Sequence, residues 1–316
     1  MKLSGFLTGL FLLLIFLQVA PPMVKNIKKQ YERMLSPKTN IGVIKISGVL
    51  TNADYYNKYL NKYFKDPEIK AILIKMDCPG GASGTAQSIY QEILSLKAKH
   101  NKHIITLVEN VCASGGYYIA CATDNIIASP SAIIGSVGTS FQFLFQLKEF
   151  MENYKIKYKS LTAGKYKSTT DPFMDITPEQ ELMLNDVLQN SYEKFLQDVS
   201  RNRNLPLATK DKWAEGKIFT GTQALTLGMI DSVGSPYSAV QVLRDLALID
   251  EKEEIIWVKP PEESAFSKFF GANQQEDEES PFSSSVNFGS GSLESSFGIN
   301  KLMSFLDDKL ISKRIC

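Results

Sequence analysis

Residues 70–81, Lys-Ala-Ile-Leu-Ile-Lys-Met-Asp-Cys-Pro-Gly-Gly, set a short apolar run directly before a proline and two glycines. From Lys70 to Met76 apolar side chains fall at odd and even positions alike, so an extended segment would be covered on both faces. Pro79, Gly80 and Gly81 then end it. Downstream, Gln87 to Lys99 carries apolar residues at helical spacing, and Ile104 to Val108 repeats the two-sided strand pattern. Upstream, Ile41 to Ile46 is a third such run. Strands joined through a helix are parallel neighbours, and strands apolar on both sides need helices over both faces. The expected fold is therefore an α/β layered one with a parallel sheet.

Farther along, Thr177-Pro178-Glu179-Gln180 reads as a capping box with proline in the first helical position. Leu184, Val187, Leu188, Tyr192, Phe195, Leu196 and Val199 then mark one face of a long helix ending near Arg201 to Asn204. The folded domain is expected over residues 41–258. Composition changes after it: Gln274 to Glu279 is acidic, and Ser280 to Ser296 is crowded with serine and glycine. Residues 259–316 read as a flexible tail. At its end Ile299, Leu302, Met303, Leu306, Leu310 and Ile311 recur at helical spacing. This implies a short amphipathic helix that could dock on the domain, a partner or a membrane, with docking back on the protein's own oligomer the preferred expectation.

The first 24 residues have a different character. Leu3 to Val24 holds no charged residue, and at ~1.5 Å per residue it reaches roughly 33 Å, enough to cross a bilayer core of ~30 Å. Gln18-Val19-Ala20 resembles the end of a cleaved signal peptide, but Pro21 and Pro22 would obstruct cleavage there. The expectation is an uncleaved transmembrane anchor over residues 1–24 and a lysine-rich juxtamembrane linker over 25–40. Lys25, Lys28, Lys29 and Arg33 outnumber Lys2, which on the positive-inside rule would put the domain in the cytoplasm.

Composition excludes several functions. Lysine and arginine number 35 against 34 acidic residues, so no net field draws the molecule to nucleic acid. Cys78, Cys112, Cys121 and Cys316 lack the spacing of a metal cage and are too few for a disulfide framework. They are expected as buried thiols, with a Cys78–Cys112 disulfide as the alternative if the domain lies outside the cytoplasm.

Two glycine turns carry the chemistry. Gly80 and Gly81 allow backbone N–H groups to approach a ligand closely. Cys112-Ala113-Ser114-Gly115-Gly116-Tyr117-Tyr118 again follows a strand and opens a helix. A serine there sits where free N–H groups can stabilise an oxyanion, although a helix N-cap would also use one. A base is needed, and the two histidines, His100 and His103, precede the third strand, at the sheet edge away from Ser114. Lysine remains, because burial can depress its pKa enough for it to act as a base. Gly164-Lys165-Tyr166-Lys167-Ser168 offers two, in a loop before the long helix.

Four motifs occur in an order that resembles the signal peptide peptidase A family, a branch of the ClpP/crotonase superfamily. They are Asp77-Cys78-Pro79-Gly80-Gly81, Ala113-Ser114-Gly115-Gly116-Tyr117-Tyr118, Gly135-Ser136-Val137-Gly138 and Gly164-Lys165-Tyr166-Lys167-Ser168. The resemblance runs from about Ile41 to Ala247. It implies a ClpP/crotonase-like fold and a membrane-bound serine endopeptidase with Ser114 as nucleophile and Lys167, rather than Lys165, as base. It further implies Gly81 and Gly115 as oxyanion-hole donors and Ser136 as a hydrogen-bond partner that orients the lysine. Cys78 departs from the small polar residue expected before Pro-Gly-Gly.

By the same resemblance, the substrates are cleaved signal peptides or other hydrophobic segments, no cofactor is needed, the chains form a homo-oligomer and the domain is extracytoplasmic, against the charge pattern. Three other readings remain at this stage: an NfeD-like peptidase acting on a stomatin-type partner, a crotonase-type acyl-CoA enzyme, and an inactive scaffold.

Overall fold

The computed structural model of the protein describes residues 37–141 and 145–261, with residues 16, 18, 20–25 and 28 of the N-terminal segment. Among the described residues no helix is long and apolar enough to cross a membrane. The expected anchor falls mostly, and the tail from residue 262 onward wholly, outside the described residues.

In chain order the elements begin with strand β1 (Lys38–Leu50), helix α1 (Asp54–Lys65), β2 (Ile69–Gly81), α2 (Ser83–Lys99) and β3 (His103–Ala113). A two-turn helix α3 (Gly115–Ala120), β4 (Asn125–Ala128) and β5 (Ile133–Gly135) follow. Next come the short α4 (Lys148–Asn153), the long α5 (Pro178–Arg203), the single turn α6 (Lys210–Trp213) and β6 (Ile218–Thr220). The described chain closes with α7 (Gly221–Thr226), β7 (Ser232–Val233), α8 (Pro236–Ala247) and β8 (Glu254–Val258).

The main sheet runs β6-β5-β3-β2-β1-β8, with β4 pairing β3 and β7. Every pairing is parallel except β5 with β6. The two-sided apolar strands are explained by cover on both faces. Ile44, Ile46, Ile72, Ile74, Met76, Ile104 and Val108 pack into one core with α1, α2, α3 and the end of α5. Their alternating neighbours Ile41, Val43, Ala71, Leu73, Ile105 and Leu107 pack against Ala239 and Leu243 of α8.

Helix α5 starts as its sequence predicts: the Thr177 side chain accepts from the Gln180 N–H, and the Gln180 side chain accepts from the Thr177 N–H. Its apolar stripe is only half used. Phe195, Leu196 and Val199 are buried, Leu184, Leu188 and Tyr192 are half-buried, and Val187 is 50% exposed. No residue of α4 is buried, and Phe150, Tyr154 and Leu161 on the same stretch stand exposed. Of the residues described between β5 and α5 only Val137 and Thr169 are buried, so most of this segment is an arm that adds little to the core of its own chain.

Parallel register brings the glycine turns together. Leu50 pairs with Gly81, Cys78 with Cys112, and Ala113 with Gly135. The carboxyl ends of β2, β3 and β5 therefore lie side by side, which is where open α/β sheets bind ligands.

Candidate active site

Ser114 is the residue between β3 and α3. Its backbone has φ 50° and ψ −123°, a region a non-glycine residue enters at a cost of about 1–3 kcal/mol. Two main-chain bonds hold it there: its N–H donates to the Gly135 carbonyl (2.7 Å), and its carbonyl accepts from the Tyr118 N–H (2.9 Å). The side chain makes no capping bond to α3. The N-cap alternative is thereby set aside, and the half-buried hydroxyl faces the cleft.

The neighbouring glycines leave no space for a side chain. At Gly80, φ 115°, an added Cβ would stand 2.7 Å from Ser114 Cβ and 3.0 Å from its Oγ. At Gly81, φ 149°, it would meet the Leu50 carbonyl at 2.3 Å, and at Gly116 the Cys78 carbonyl at 2.8 Å. Gly81 and Gly115 line one cleft together with Ser114, Ala86, Tyr118 and Phe195. Gly115 is the first residue of α3, so its N–H has no partner within the helix. The structure thus gathers three of the five residues singled out in the sequence. Sequence reasoning missed how tightly Gly80 and Gly116 are packed, although their repeated glycines were the visible signal.

Cys78 occupies the position where a small polar residue was expected. Its Sγ accepts from the Gly80 N–H at 3.3 Å, so the sulfur braces the turn. Cys78, Cys112 and Cys121 are buried free thiols, and burial pushes all three pKa values up.

Ser136 lies beside Ser114, since each directly follows a residue of the Ala113–Gly135 pair. It too has positive φ, 53°, and its N–H donates to the Lys217 carbonyl at 2.7 Å. It is half-buried and does not line the cleft. Lys167 is not brought to Ser114: it is exposed, in a turn where its N–H bonds the Gly164 carbonyl (3.1 Å), and is absent from the cleft lining. Lys165 is engaged elsewhere, 2.6 Å from Glu179, while the Lys167 ammonium has no partner among the described residues. His103 begins β3 and faces Asp124 at 3.3 Å. Ser114 follows the far end of that strand, about 35 Å away at ~3.3 Å per residue. Among the described residues no group of three His, Cys, Asp or Glu side chains could hold a metal ion.

Comparison with known proteins gives this geometry a context. The family model of peptidase family S49 matches residues 97–250. A candidate protease of Synechocystis sp. is 31% identical over 230 residues, covering 72% of this chain and 81% of its own. One from Methanocaldococcus jannaschii is 30% identical over 202 residues, 64% of either chain. A candidate signal peptide peptidase SppA of Enterococcus faecium is 27% identical over 185 residues, 58% of this chain and 53% of its own. The match therefore leaves more than a third of the latter two proteins uncovered.

Proposed function

This chain belongs to peptidase family S49, and on that premise we propose that it is a membrane-bound serine endopeptidase of the ClpP/crotonase superfamily that uses Ser114 and Lys167 as a dyad. Lys167, as the neutral amine, takes the hydroxyl proton of Ser114, and the oxygen attacks a peptide carbonyl. The N–H groups of Gly81 and Gly115 receive the oxyanion, Ser136 orients the lysine, and water releases the acyl group.

The single observation that carries the reading is the backbone of Ser114. It is held at positive φ by two main-chain bonds, free of capping duty, in a cleft with two glycines. Strain of that kind persists only where the surroundings over-determine it, and it concentrates at active sites.

Lys167 enters from another copy of the chain. Within one chain it stands outside the cleft, on an arm whose Phe150, Tyr154 and Leu161 are exposed. Exposed apolar surface on this scale marks a contact with another molecule. A homo-oligomer in which the arm of one chain reaches the Ser114 cleft of the next would cover that surface and give the ammonium the desolvation a base requires. The substrates on this reading are signal peptides or other hydrophobic segments delivered at the membrane, with the domain on its extracytoplasmic side.

The test is cleavage of a signal peptide by the full chain in detergent. Ser114→Ala and Lys167→Ala are each expected to lower kcat by at least about 1,000-fold, and Lys165→Ala to stay within about twofold. Cleavage that survives Ser114→Ala, or that is lost only with Lys165→Ala, would overturn the assignment.

A further inference from the structure

Helix α5 sends one carboxylate into the core: Asp198 is 1% exposed. A carboxylate so placed is costly unless its lost hydration is replaced by hydrogen bonds. The Tyr118 hydroxyl donates to Asp198 Oδ2, and Lys194 Nζ, one turn earlier on α5, donates to Oδ1 at 2.7 Å. Asn202 closes the cluster by donating to the Asp198 carbonyl at 2.8 Å and to the Tyr90 hydroxyl. The Tyr118 ring stacks on Tyr90 at 4.6 Å and 11° and leans on Phe195 at 4.8 Å. It is held on two faces and tethered at its tip.

Tyr118 and Phe195 are also walls of the Ser114 cleft. That cleft holds about 20 Å³ of free space, room for one water or a methyl group. Its dimensions thus depend on a tyrosine whose far end is fixed by Asp198, 80 residues downstream. We propose that Asp198 is a positioning residue for substrate selection. By holding the Tyr118 hydroxyl it keeps the cleft shallow, so that only a small side chain fits beside the bond that Ser114 attacks. This rests on the reading of Ser114 as nucleophile.

The experiment measures kcat and KM of the full chain on peptides that differ only in Ala, Leu or Phe before the cut. Asp198→Ala is expected to lower the Ala-over-Phe preference in kcat/KM about tenfold, mainly through KM. Asp198→Asn, whose amide oxygen still accepts the Tyr118 hydroxyl, is expected to restore the preference to within about twofold of wild type. Tyr118→Phe keeps the ring and removes only the tether, so it should repeat the Asp198→Ala result even if that variant folds poorly. An unchanged preference in Tyr118→Phe, or an equal loss on all three peptides, would overturn the proposal. Cleavage surviving Ser114→Ala would sink the active-site reading and this inference with it, whereas loss there beside an unchanged preference would sink the inference alone.

Discussion

Two inactive variants should regain activity when they are assembled together. Lys167 is exposed and stands outside the cleft of its own Ser114, and on the function proposed above each working site draws its serine from one chain and its lysine from the next. Co-expression of Ser114→Ala with Lys167→Ala then rebuilds a site wherever a chain with intact Ser114 is followed by one with intact Lys167. In a closed head-to-tail assembly mixed at random in equal amounts, that happens at about one site in four. The expected rate of signal-peptide cleavage is thus about a quarter of wild type, against background for either variant alone. Mixing wild type with the double variant provides the control. It should give about a quarter of full activity for a shared site, but about half for a site built within one chain. Background activity in co-assembled single variants, with half activity in the control, would refute the shared site.

Gly80→Ala should lower kcat about 100-fold by displacing the nucleophile, because the new Cβ would lie 2.7 Å from Ser114 Cβ; normal turnover would show that this contact does not set the serine's position. Arg203 is 8% exposed and makes two 3.0 Å bonds to Asp231, which also accepts from the Ile126 N–H. Because the Asp231 carboxylate left behind is 31% exposed, Arg203→Met should cost about 1–3 kcal/mol in denaturant unfolding, and an unchanged urea midpoint would contradict that. Burial raises the Cys121 thiol from its ordinary range to about 12, and an unfolded thiol ionises near 8.5. The unfolded state thus holds fewer protons between these values, so this stability is complete below about pH 8.5 and is lost as pH rises toward 12. Urea midpoints should fall above pH 9, and less steeply in Cys121→Ala.

The sequence by itself determined the alternation of β2, α2 and β3, the start of α5 and the position of Ser114 at the mouth of a helix. Each of these rests on local physics: a two-sided apolar run, a capping box, and glycines where the chain must turn. The same local evidence did not reveal α1, α8 or β8, whose role is set by distant partners. β8 earns its place by pairing with β1 more than 200 residues upstream. Only the tertiary structure decided that Ser136 follows the residue paired with Ala113, that Gly80 packs on Ser114, and that Asp198 is buried while Val187 on the same helix is exposed. Only it decided that Lys167 stands apart from the serine it was expected to serve. Periodicity says which side chains could share a face. What lies across from that face, in the same chain or the next, is a matter of long-range contact that no local stretch encodes.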